Sequence, residues 1–132
     1  MSGFRPKIIK MPVIVNGDLS QASLTSIPTI IQDLTQMSYA LSWAGIAPAG
    51  LISIQVSNDY ALSASGAVLN AGTWNTMPLS YAGSTTTTVP LAGNTGTGFI
   101  DVASSGAYAI RLIYARTSGT GTVQATFNAK VA

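Results

Sequence analysis

Four carboxylates (Asp18, Asp33, Asp59 and Asp101) and six cations (Arg5, Lys7, Lys10, Arg111, Arg116 and Lys130) are the whole stock of charged side chains in this 132-residue sequence. It contains no histidine, cysteine or glutamate. Paired-carboxylate hydrolysis needs two acids converging on one bond, and the four Asp are scattered over separate segments. Nucleophilic attack by Ser or Thr needs a base, and histidine, the usual one, is absent. A Ser–Lys dyad remains formally open. Lys7 and Lys10, however, lie on a basic N-terminal stretch and Lys130 near the very end of the chain, poor places to bury an amine and depress its pKa. The expectation is a protein that is not an enzyme.

Metal and cofactor chemistry fare no better. Without Cys there is no disulfide and no thiolate site. Calcium would accept Asn58, Asp59 and backbone carbonyls around 57–60, but Asx side chains at a strand end also bond the turn backbone, and the turn is the preferred reading. The nearest approach to a phosphate cradle, Ser118-Gly119-Thr120-Gly121, links two strand patterns and opens no helix. It reads as a hairpin turn. No cofactor is expected.

Two groups of residues are candidates for holding a partner. Arg5, Lys7 and Lys10 make a basic arm suited to phosphate or an acidic protein face, with a solvated tail as the plain alternative. Three charges are a weak footprint for nucleic acid. Trp74 follows Ala71-Gly72-Thr73 at the mouth of a loop, where its ring could stack on a sugar or a partner, and Tyr60 lies just beyond a strand. Packing is the alternative for both, and Trp43, on a periodic strand, reads as core. Binding of single-stranded nucleic acid would interleave cations with such aromatics, a pattern this sequence lacks. Arg111 or Arg116 is expected to pair with Asp101 on a neighbouring strand.

The elements that must position these residues follow from a period-2 pattern. Met37, Tyr39, Leu41 and Trp43 alternate with small residues, as do Ile52, Ile54 and Val56, and Gly45 to Gly50 with Pro48 supplies turn chemistry between them. The two segments are expected to pair antiparallel. Ile110, Leu112 and Tyr114, then Val123, Ala125, Phe127 and Ala129, predict a hairpin over 107–131. Further strands are expected at 7–15, with Ile9, Met11, Val13 and Val15 on one face and Pro12 favouring an edge, and at 74–80 and 97–103. Residues 28–36 read as a short strand or one helical turn. Segments 57–73 and 82–98 read as loops, although the threonine-rich stretch 84–89 also suits an exposed edge strand.

Seven or eight short strands at this spacing predict one all-β domain, an antiparallel β-sandwich of jelly-roll type over 16–132, preceded by an extended N-terminal arm or edge strand over 1–15. Charged residues make up 8% of the chain, against about 25% in ordinary domains. A surface of hydroxyls, amides and methyls suits burial in an assembly, where ionic groups would cost desolvation free energy. A neutral secreted domain is the alternative. No apolar run approaches the roughly 18 residues of a spanning helix. The N-terminal apolar stretch, broken by Lys10 and Pro12, makes a poor signal peptide, so synthesis in the cytoplasm is expected.

Two stretches also carry a likeness. Ser53-Ile-Gln-Val-Ser-Asn-Asp-Tyr60 followed by Asn70-Ala-Gly-Thr-Trp-Asn-Thr-Met-Pro-Leu79, and the ending Tyr114-Ala-Arg-Thr-Ser-Gly-Thr-Gly121 before the last alternating strand, resemble small β-sandwich proteins encoded among tailed-bacteriophage structural genes. The resemblance covers roughly residues 37–131 and brings no catalytic residues. It implies a virion component: a head decoration or cement protein bound to the major capsid protein or other virion proteins, or a head–tail connector or tail-associated part. A small homo-oligomer, anchored through Arg5, Lys7 and Lys10, is the form expected. The rival is a carbohydrate-binding module that uses Trp74 and Tyr60 as stacking platforms.

Overall fold

The structure is a computed structural model that describes residues 7–31, 34–102 and 106–131. Among the described residues there are twelve strands and no helix: β1 (Lys7–Asp18), β2 (Ser23–Thr25), β3 (Thr29–Ile30), β4 (Gln36–Ser57), β5 (Ala61–Leu62), β6 (Val68–Asn70), β7 (Asn75–Met77), β8 (Leu79–Tyr81), β9 (Ser84–Thr86), β10 (Val89–Ala92), β11 (Thr95–Val102) and β12 (Ala109–Val131). Ten belong to one antiparallel sheet with the spine β1-β12-β4-β11-β8-β9. In that sheet β2 and β3 flank β12, while β7 and β10 flank β4; β5 and β6 form a separate ribbon. The count exceeds the expected seven or eight because two- and three-residue strands carry too little alternation to be read.

Two expectations are corrected here. The segments around Tyr39 and Ile54 do not pair with each other, and 107–131 is not a hairpin. Both segments belong to β4, β12 is likewise continuous, and the two long strands pair with one another from Ala109↔Ser57 to Lys130↔Gln36. The residues read as turns are instead bulges. Register shifts fall between Arg116 and Ser118 and between Ser118 and Thr120, opposite Gly45 to Gly50. Glycine and proline serve a bulge as readily as a turn, because both need a backbone that ordinary pairing does not supply.

The bulges bend the strands sharply. The 23 residues of β12 would run about 75 Å if straight. Yet Ile31 N donates to the Tyr108 carbonyl (2.9 Å) just before its start, and Thr35 N to the Lys130 carbonyl (3.3 Å) near its end. Four residues of chain span at most about 14 Å, so the two ends of β12 lie close together. The sheet therefore doubles over into two facing halves, a β-sandwich made from one hydrogen-bonded sheet. Freed backbone groups at the corner find partners: Gly45 N and Ala47 N donate to the carbonyl and Oδ1 of Asn94 (2.7 and 2.8 Å), and Leu19 N donates to the Gly121 carbonyl (2.8 Å).

Each bulge also changes which residues face inward. In β4 the buried positions run Met37, Tyr39, Leu41 before the corner and Ile52, Ile54 after it; in β12 they run Ile110, Leu112, Tyr114 and then Val123, Ala125, Phe127. Both halves thus turn their large residues onto one core, which also takes in Leu79, Leu91 and Ile100. Tyr39 meets Phe127 edge to face at 5.3 Å, a preferred aromatic geometry.

In β1 the expected single face breaks. Val13 and Ile14 are both buried while Val15 is exposed, because the strand bulges between Pro12 and Ile14, where proline has no N–H to give the ladder. Within 28–36, Thr29–Ile30 is a strand on β12. The presumed loops contain β5, β6, β9 and β10, and Ser84–Thr86 is the sheet's far edge.

Candidate functional site

The basic arm is not free over most of its length. β1 starts at Lys7, whose backbone pairs with Val131, and Lys10 pairs with Asn128, so both belong to the edge strand of the sheet. The Lys10 side chain is exposed. Arg5 lies outside the described residues, as does Asp33.

Trp74 and Tyr60 come together, as two residues flanking a ribbon should when its ends meet. Their rings lie 5.6 Å apart, tilted by 53°. Tyr60 is buried and Trp74 half-buried. The Arg111 guanidinium sits 4.2 Å over the Trp74 ring, a cation–π contact that sequence spacing gave no sign of. Arg111 in turn donates through Nε (2.9 Å) and Nη2 (2.7 Å) to Gln55 Oε1, its cross-strand neighbour. The Trp74 indole N–H donates to the Ala71 carbonyl at 2.8 Å. Both proposed stacking rings thus have partners within the chain. Asp101 is elsewhere: it lies on β11 opposite Ser38, in the other half of the bent sheet, and the expected pair with Arg111 or Arg116 does not form; Arg116 Nε donates instead to the Gly119 carbonyl (2.9 Å).

On the other side of the 73–75 segment is a cleft of about 340 Å³ lined by Asn58, Asp59, Thr73 and Asn75 among others. Thr73 N (2.6 Å) and the Ser57 hydroxyl (2.8 Å) donate to Asp59 Oδ1. These bonds, the Thr73 amide first, hold the carboxyl below its ordinary value. Ser57 Oγ accepts from the Tyr60 amide (3.1 Å) and Asn58 Oδ1 from the Tyr108 amide (3.2 Å). The group therefore closes the strand end as a side-chain-bonded turn. Among the described residues no cluster of three metal-ligating side chains occurs.

A second concavity, about 440 Å³, lies on the outer face of the other half, between Lys10, Ser38, Phe99, Asp101, Asn128 and Lys130. Register explains it. Lys10, Asn128, Ser38 and Asp101 form one row across β1, β12, β4 and β11, with one long side chain, Lys10, at an end and short ones across the rest. Sequence reading missed this row because each residue occupies the small or polar face of a different strand, and only the pairing lines them up. The same face continues with Ala40, Ser42, Thr97, Gln124 and Thr126, all uncharged. Between Asp59 and Asp101 the sequence contains no charged residue at all, and Leu62, Val68 and Leu69 of the β5–β6 ribbon stand exposed. No helix among the described residues is long and apolar enough to cross a membrane.

No protein-family model and no curated protein sequence matches the chain. Among solved structures it is similar to the SPBc2 prophage-derived protein YomS, with TM-score 0.63 and 9% identity over 98% of both chains. Chains from the structures of infectious bursal disease virus strains Gx and Gt give TM-scores of 0.28 and 0.30 at 12% and 14% identity. There 96% of this chain covers 40% of the viral one. At 9% identity the likeness to YomS establishes a shared fold.

Proposed function

We propose that this protein is a bacteriophage virion component, a capsid decoration or cement protein that holds the shell through neutral contacts and its N-terminal segment. The observation that carries the reading is the charge-poor outer surface of the bent sheet, rows of Ser, Thr, Ala, Asn and Gln with Lys10, Lys130 and Asp101 at one end, where an ordinary domain places many ions. Most of such a face can be buried against another protein without stripping water from charges. The prophage origin of YomS, matched along nearly its whole length, agrees with this, as does the likeness to tailed-phage structural proteins around the Arg116-Thr-Ser-Gly-Thr-Gly121 stretch. Many copies on a symmetric shell would multiply a modest affinity for the major capsid protein. A head–tail or tail-associated position is the neighbouring possibility.

Cryo-electron microscopy of intact particles from cells carrying the gene tests the reading directly. Density for the doubled sheet at regular sites on the head is the expected result, and particles that lack the chain altogether would refute it. The carbohydrate-binding alternative has less support, because Trp74 and Tyr60 are already stacked within the chain.

A further inference from the structure

We propose that the outer face of β1, β12, β4 and β11 is a two-fold interface with a second copy of this chain. A single row on this face is complementary in charge to its own two-fold mate. Lys10 stands at one end and Asp101 at the other, with Asn128 and Ser38 between them. The two charges lie three strand spacings apart, about 14 Å, too far to pair with each other; Lys130, which lines the same concavity one row on, stands opposite Gln36 on β4. A two-fold axis parallel to the strands, running between β12 and β4, exchanges the two ends of the row. It sets Lys10 of each copy against Asp101 of the other and Asn128 against Ser38.

The next row makes the same match without charge. Pro12, Thr126, Ala40 and Phe99 align across the same four strands. The axis that joins Lys10 to Asp101 therefore places Phe99, 57% exposed, against the exposed Pro12 ring of the other copy. An isologous contact demands this kind of self-matching, and here one operation satisfies both rows. Alternation puts all eight residues on the outer face, since Val13, Met37, Ile100 and Phe127 point into the core. Four strands by the eight residues of β11 give a footprint of about 500 Å² per copy. That is the lower end of specific interfaces, so the dimer should be weak and concentration-dependent. The inference does not depend on the virion reading.

Sedimentation of the full chain over a concentration series tests it. Wild type is expected to shift from monomer to dimer as concentration rises. Asp101→Lys and Lys10→Asp each oppose like charges at two symmetric contacts and should raise the dimer dissociation constant at least about tenfold. Mixed in equal amounts, the two variants should recover the dimer, since each new charge then faces its complement. Both sites are exposed, and unchanged thermal melts separate lost association from lost folding. Phe99→Ser, also weakening, gives a variant without charge change. A wild type that stays monomeric throughout, a dimer that survives both charge reversals, or variants whose mixture does not reassociate would each overturn the interface.

Discussion

At the corner of the sheet Gly119 backs onto Ala47, both with left-handed backbones (φ 83° and 46°), and a Cβ added to Gly119 would overlap the Ala47 carbonyl. The bend thus depends on a residue with no side chain at the point where two strands press together. Gly119→Ala combines a backbone that L-residues resist with a clash against main chain that cannot move aside. It should destabilise by about 3 kcal/mol in urea unfolding. Gly66→Ala is the control: its φ is 90° but nothing lies near its added Cβ, so about 1 kcal/mol is expected.

Trp74 and Arg111 should behave as a coupled pair. Trp74→Ala removes the surface on which Arg111 rests and part of the cover over Tyr60, for an expected loss of about 2 kcal/mol. A double-mutant cycle with Arg111→Ala should show about 1 kcal/mol of interaction. Additive losses would mean that the stack contributes nothing. A stable Trp74→Ala protein that no longer binds an oligosaccharide bound by wild type would favour the carbohydrate reading.

Acid should unfold the protein through few groups. In the folded state Asp59 is held below its ordinary 3.8 by Thr73 and Ser57, and Asp18 by Ser20, whose hydroxyl and amide both donate to it, and by Gln21. The unfolded chain therefore binds more protons in the interval between the folded and unfolded pKa values. The contribution is complete above the unfolded value and lost as pH falls through the folded one. The urea midpoint should decline only below about pH 4, with a shallow acid limb. Asp59→Asn should flatten that limb further; an unchanged slope would show that Asp59 is not held as described.

Tyr39 governs the alkaline side. It is fully buried against Phe127, its hydroxyl has no partner among the described residues, and burial pushes its pKa well above the ordinary 10.0. A raised folded pKa means that stability is intact below the unfolded value and declines as pH rises past it, since only the unfolded chain then ionises readily. Tyr39→Phe keeps the edge-to-face contact and removes the unpaired hydroxyl. It should raise stability by about 1 kcal/mol at neutral pH and remove part of the loss above about pH 10. Destabilisation would reveal a hydrogen bond to that hydroxyl.

What alternation encodes, the sequence displayed. Tyr39, Leu41, Ile52, Ile54, Leu112 and Phe127 are inward-facing as their spacing implied, because a half-buried strand must put every second side chain in the core. What joins the strands was misread for a physical reason. Gly45 to Gly50 and Ser118 to Gly121 supply unusual backbone angles, and the same residues allow a chain either to reverse or to bulge and continue. Only the long-range pairing of β4 with β12 decides between these. The row from Lys10 to Asp101 was hidden likewise, since its members are separated by most of the chain and meet only through register. The contact of Arg111 with Trp74 needed the path of 73–75 across the sheet.

The N-terminal segment separates a structural from a binding role by where it is cut. Residues 7–10 pair with Asn128 to Val131 at the end of β12, so removing residues 1–10 strips strand pairing as well as Arg5, Lys7 and Lys10. Removing residues 1–6 leaves β1 whole and takes away Arg5 alone among the three cations. The shorter truncation should therefore melt within a few degrees of wild type, whereas the longer one should lose about 1–2 kcal/mol for four unpaired edge residues. If the segment anchors the protein to a capsid, particles assembled with the 1–6 truncation should carry markedly less of it by quantitative gel analysis. Normal incorporation of that folded truncation would remove Arg5 from the anchor and leave attachment to Lys7, Lys10 and the sheet face.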